Sequence, residues 1–117
     1  MSDAENLVEE WTTLPDIAEA TGVGISKVRR WVEDRAILGY KHGTPAVFRV
    51  PVLFVDADGP VPALKGTLIL LEDAGFDAEE AIAWLFTPDD TLPGRPIDLL
   101  RAGNKGEVRR RAQALAF

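Results

Sequence analysis

Between Asp16 and Val32 the chain carries two short helix-forming runs, Asp16 to Thr21 and Ile25 to Val32, separated by Gly22-Val23-Gly24. In the second run Ile25, Val28 and Val32, with Trp31 beside them, follow the spacing of an inward helical face. Ser26, Lys27, Arg29, Arg30 and Glu33 then point outward, so the bases of this run share one broad arc. Two short helices across a glycine turn, the second basic on its outer face, form the layout of a helix-turn-helix. In that arrangement the second helix lies in the major groove of DNA. This segment constrains the fold more than any other.

The flanking residues extend the pattern. Thr13 is placed to cap the first helix, with Pro15 in its first turn and Asp16 three residues on. Leu14, Ile17, Ala18 and Thr21 form its buried stripe, and Gly22 ends it. Residues 37–41 and 46–50 read as two strands joined by His42-Gly43-Thr44-Pro45. A hairpin directly after a recognition helix is a wing. Pro51 ends the second strand, residues 52–55 make a further short element, and Asp56 to Pro60 is a turn. The second half reads as helical: residues 64–73 up to Gly75, 78–86 capped by Asp77 with Glu79 and Glu80 in the first turn, 96–100, and 105–115. Residues 1–10 are polar and acidic and are expected to be frayed.

With 117 residues and 46% hydrophobic content, the chain is large enough for one domain or two packed subdomains with a real core. The absence of cysteine excludes disulfides, thiolate metal sites and cysteine nucleophiles, and fits a reducing cytoplasm. The acidic N-terminus lacks the apolar run of a signal peptide. No apolar run approaches the roughly 20 residues that span a bilayer, so no membrane association is expected.

The net charge of −6 is unevenly spread. Residues 1–22 hold six acids and no base, whereas residues 23–50 hold six bases against two acids. Residues 51–100 hold ten acids against two bases, and residues 101–117 hold five bases against one acid. Two basic islands therefore sit in an acidic body. Phosphate attraction is local, because screening confines it to about 8–10 Å at physiological salt. A basic face on an acidic protein can thus still hold a duplex.

The candidate DNA-reading residues are Ser26, Lys27, Arg29 and Arg30 on the second helix. Ser26 and Lys27 lie in the first turn and suit base edges, and the arginines suit guanine or phosphate. Glu33 and Asp34 could pair with them, but exposed pairs are worth only about 0–1 kcal/mol, so phosphates could displace them. Lys41, His42 and Arg49 are the wing candidates for backbone or minor-groove contact. Arg101, Lys105, Arg109, Arg110 and Arg111 could add phosphate contacts or dock an acidic partner, but they are read first as suiting their helix dipole and pairing with the acidic body. Trp11, Trp31 and Trp84 sit at core spacing. His42 is the only histidine, which leaves no metal or triad site, and Gly22-Val23-Gly24 follows a helix rather than a strand, so it is no phosphate loop. No cofactor, metal or enzymatic role is expected. Thr12 and Thr13, between Glu9-Glu10 and Asp16, are candidate sites for a Ser/Thr kinase whose phosphate would weaken DNA binding by adding about 1.5 to 2 negative charges.

The chain resembles small actinobacterial winged helix-turn-helix DNA-binding proteins. The resemblance runs from Trp11-Thr12-Thr13-Leu14-Pro15 through Gly22-Val23-Gly24-Ile25-Ser26-Lys27-Val28 to the C-terminus. It is most specific in Trp84-Leu85-Phe86-Thr87-Pro88-Asp89 and in Glu107 to Ala114. It implies an N-terminal winged unit that binds DNA and a small helical domain packed on it. Trp84 to Pro88, Leu92 to Leu100 and the closing helix also resemble the toxin-binding domain of helix-turn-helix antitoxins, although those carry a purely helical DNA module. The expected fold is mainly α: a winged helix-turn-helix with a two-stranded wing, followed by a small C-terminal helical bundle. The expected organisation is a flexible acidic segment (1–10), a DNA-binding domain (11–58) and a C-terminal helical domain (59–117). The expected function is duplex DNA binding as a transcriptional regulator or nucleoid-associated factor, cytoplasmic and located at the nucleoid, acting as a monomer or weak homodimer. The alternative is an antitoxin-like module whose C-terminal half binds a protein partner.

Overall fold

The computed structural model describes residues 3–116. The fold is mainly α, with seven helices, a three-stranded antiparallel sheet and a two-stranded hairpin among the described residues. The helix-turn-helix comprises α2 (Leu14–Thr21) and α3 (Ile25–Glu33). Thr13 Oγ1 accepts the Asp16 N–H at 3.4 Å, and Gly22 ends α2 in the left-handed conformation, as local sequence anticipates. Ile17 and Val28 are fully buried where the two helices meet.

The wing follows, shifted along the chain from the expected strands. Its strands are β2 (Tyr40–His42) and β3 (Val47–Pro51), with Lys41 opposite Phe48. Residues 36–39 are consumed in a tight exit from α3. The Trp31 carbonyl accepts the N–H groups of both Ala36 and Ile37, at 2.8 and 3.3 Å, and Arg35 adopts φ 59°. Ile37 is thereby turned into the core instead of a strand.

A third strand, β1 (Trp11–Thr12), pairs with the far edge of β3, giving the order β1-β3-β2. Two residues carry no periodicity, and the partner lies some 40 positions away, so no local signal announces this strand. The acidic N-terminal stretch differs from the frayed segment expected of it. Asp3–Leu7 form helix α1, and Ala4 and Val8 are buried. These two small apolar residues, four apart, let the segment dock on the C-terminal helices.

Beyond a 3₁₀ turn (Val52–Phe54), the hairpin β4 (Val55–Asp56) and β5 (Gly59–Pro60) leads to four helices. These are α4 (Leu64–Asp73), α5 (Ala78–Phe86), α6 (Pro96–Arg101) and α7 (Lys105–Ala114). Asp77 and Glu80 form a reciprocal capping box at the start of α5, with bonds of 2.8 and 3.0 Å. α1 lies against α5, α4 against α7, and α6 against the 3₁₀ turn. The halves share one core, bridged by Phe54 and Phe86, whose ring centroids are 5.8 Å apart.

Candidate nucleic-acid interface

Helix α3 presents its bases because its apolar residues are spent inward. Val28 is fully buried, and Ile25, Trp31 and Val32 are half-buried. Ser26, Lys27, Arg29 and Arg30 are all exposed, on the arc expected of them. Glu33 and Asp34 do not neutralise them. Among the described residues, neither Lys27, Arg29 nor Arg30 makes an ion pair.

The three wing candidates separate by strand alternation. Lys41 is exposed and likewise without an ion pair among the described residues. His42 points to the opposite face and is held in an aromatic group. Its ring centroid lies 4.2 Å from Trp11 and 4.6 Å from Tyr40, while Trp11 meets Tyr40 edge-on at 5.7 Å. His42 Nδ1 is 3.1 Å from the Tyr40 carbonyl, which can only accept, so Nδ1 carries the hydrogen. Nε2 is buried with no hydrogen-bond partner among the described residues. Arg49 folds back over the hairpin: its Nη1 donates to the His42 carbonyl, and its guanidinium covers Gly43. The structure thus brings Ser26, Lys27, Arg29 and Arg30 together on one helix and sets Lys41 outward on the wing. His42 and Arg49 make contacts within the hairpin.

Three of the five bases of the C-terminal island are paired with acids of the protein. Arg101 pairs with Asp56, Arg110 and Arg111 pair with Glu107, and Arg111 also bonds Thr91 and lies 3.9 Å from Asp89. Arg109 lies across Gly66, where a Cβ would collide with its guanidinium. Glu107 is held below the ordinary carboxylate range, chiefly by its hydrogen bond from Arg111. Asp89 is lowered too, first by the Thr91 hydroxyl and then by the Thr91 N–H.

One residue of α3 combines a core contact with a partly exposed ring. Trp31 takes an inward position by spacing, yet it forms one wall of a shallow groove with Ser26, Lys27, Arg30 and Asp34. The available signal was its place four residues after Lys27, which stacks the two side chains on one helical row. Trp31, Trp84 and Trp11 all pack against the core, as their spacing predicts. Among the described residues, no group of three or more acidic or histidine side chains is placed to hold a metal, and no helix is long and apolar enough to cross a membrane.

Residues 61–116 match the family described as the Rv2175c C-terminal domain of unknown function. The chain is 35% identical to the DNA-binding protein Rv2175c of Mycobacterium tuberculosis (strain ATCC 25618 / H37Rv), over 89% of this chain and 79% of that protein. The NMR structure of Rv2175c is similar with a TM-score of 0.80 at 33% identity, covering 93% of this chain and 82% of that one.

Proposed function

The chain belongs to the family of the mycobacterial DNA-binding protein Rv2175c, and from that premise we propose that it binds duplex DNA as a winged helix-turn-helix protein. Helix α3 enters the major groove with Ser26 and Lys27 at base edges and Arg29 and Arg30 at guanine or phosphate. Lys41 takes a flanking phosphate, and His42 and Arg49 hold the wing in the shape that presents it. The observation that carries this reading is the contrast between the two basic islands. Arg101 of α6 and Arg110 and Arg111 of α7 are paired with acids of the protein, and Arg109 is packed across Gly66, whereas the cations of α3 and Lys41 are exposed and lack an ion pair among the described residues. Such cations need give up no protein partner before meeting phosphate.

The mechanism needs no cofactor and no catalytic step. The role we assign is that of a nucleoid-associated factor or transcriptional regulator, with one winged unit covering one half-site. The test is fluorescence anisotropy of a labelled mixed-sequence duplex with the wild type and a Lys27→Ala/Arg29→Ala/Arg30→Ala variant. With about four to six phosphate contacts, log affinity should fall against log salt with a slope of about −4 to −5. The triple variant should lose most of both affinity and slope. Equal binding by the two proteins would remove α3 as the reading element.

A further inference from the structure

We propose that Trp31 is a specificity-determining residue that reads the C5-methyl group of thymine in the major groove. This inference rests on the duplex-binding reading above. Three observations carry it. First, a long side chain on a helix leans back over the preceding turn, so the Trp31 indole covers the turn that carries Lys27. That turn belongs to the N-terminal half of α3, the part of a recognition helix that meets base edges. Second, Trp31 is the aromatic wall of the groove formed with Ser26, Lys27, Arg30 and Asp34. The cations on its flanks suit phosphate and guanine, leaving the indole as the apolar surface between them. In the major groove the thymine methyl is the apolar feature that a base pair displays.

Third, the ring is anchored from behind. A Cβ built on Gly59 would lie 3.4 Å from Cζ2 and 3.5 Å from Cη2 of Trp31. Gly59 is buried and adopts φ 119°, a conformation that side chains rarely take. The β4–β5 hairpin therefore backs the benzo edge of the indole and holds the ring in place along α3. A ring fixed before binding loses little freedom on contact, so its apolar contact is retained as selectivity. At the far end of the groove Asp34 disfavours phosphate, which biases the backbone toward Lys27.

The test uses the full chain. In a Trp11→Phe/Trp84→Phe variant Trp31 is the one remaining tryptophan. Its emission is followed while a mixed-sequence duplex is titrated, in parallel with anisotropy. The emission should change with the same midpoint as the anisotropy. Replacing every thymine with deoxyuridine should weaken wild-type binding about three- to fivefold, the loss expected for methyl contacts. A Trp31→Ala variant, or Trp31→Leu if circular dichroism shows the alanine variant unfolded, should bind the two duplexes with nearly equal affinity. The inference is overturned by salt-sensitive binding that leaves Trp31 emission unmoved, by wild-type indifference to deoxyuridine, or by a deoxyuridine penalty that the Trp31 variants keep in full. In each of those cases the duplex-binding reading stands. Absence of any duplex binding by the wild type overturns that reading, and this inference with it.

Discussion

Arg101 ties the C-terminal helices to the segment that backs the recognition helix: its Nη2 lies 2.6 Å from Asp56 Oδ1, and its Nη1 donates to the Leu53 carbonyl at 2.7 Å. Asp56 opens the β4–β5 hairpin opposite Gly59, and Gly59 supports Trp31. One guanidinium at the end of α6 therefore braces the element behind α3. The pair is partly exposed, with 32% and 47% of the two side chains accessible, so its coupling should be modest. Asp56→Asn should cost about 0.5–1 kcal/mol. Arg101→Ala should cost about 1–2 kcal/mol, because it also strips the Leu53 carbonyl of its donor. A double-mutant cycle by urea denaturation should return a positive coupling. Strict additivity would show that the pair contributes nothing.

Arg95 predicts the acid limb of stability. It binds Asp98 twice, at 2.8 and 3.0 Å, and Glu9 at 2.7 Å, and it lies 5.4 Å over the Phe86 ring. These hydrogen bonds hold the carboxyls of Asp98 and Glu9 below their ordinary values. A folded-state value below the unfolded one means that the contribution is present above the ordinary carboxylate range. It is lost as pH falls through the depressed values. Arg95→Gln should therefore flatten the loss of stability between about pH 5 and about pH 1. Thermal melts across that range read the effect, and an unchanged acid limb would assign it to other carboxylates.

Gly39 predicts a steric limit on the wing. It is buried, and a Cβ there would run into the Arg49 carbonyl oxygen and come within 2.9 Å of Val50 Cγ2. The first obstacle is backbone paired with β2, so it cannot yield without disturbing the hairpin. Gly39→Ala should cost about 2 kcal/mol or more, lowering the melting temperature by roughly 5 °C or more. Gly106, in α7, has nothing within 4 Å of its Cβ position. Gly106→Ala should be neutral or stabilise by about 0.5–1 kcal/mol.

Thr12 and Thr13 allow charge to be separated from capping. Thr13 caps α2, and Thr12 pairs with Val50 on the edge strand. Aspartate is also a strong N-cap, so Thr13→Asp adds charge while keeping the cap. A Thr12→Glu/Thr13→Asp variant should keep its melting temperature and bind a mixed duplex about threefold or more weakly at low salt. Thr13→Ala should do the reverse, losing about 1 kcal/mol of stability with unchanged affinity. Unchanged affinity in the charged variant would exclude electrostatic control of DNA binding from this position.

The sequence by itself determined the features whose partners lie within a helical turn. Thr13 and Asp16, Gly22 at the end of α2, and Asp77 with Glu80 are contacts between residues three or four apart, so composition and spacing specify them. The exposed arc of Ser26, Lys27, Arg29 and Arg30 follows from the same period. Tertiary structure alone decided the rest, because those interactions join residues that no local pattern relates. The Trp11–Thr12 strand exists only because β3 offers an edge 40 positions on. The N-terminal stretch is helical because α1 packs on α5, with Ala4 and Val8 buried. His42 and Arg49 read in sequence as wing candidates for backbone or minor-groove contact, and only the tertiary structure shows that the Trp11 ring and the His42 carbonyl engage them within the hairpin. Trp31 has the spacing of a core residue and packs against the core, but only the tertiary structure shows that its ring also borders a groove of the reading helix beside Gly59. Periodicity tells which way a side chain points; how far it is buried depends on what the rest of the chain places there.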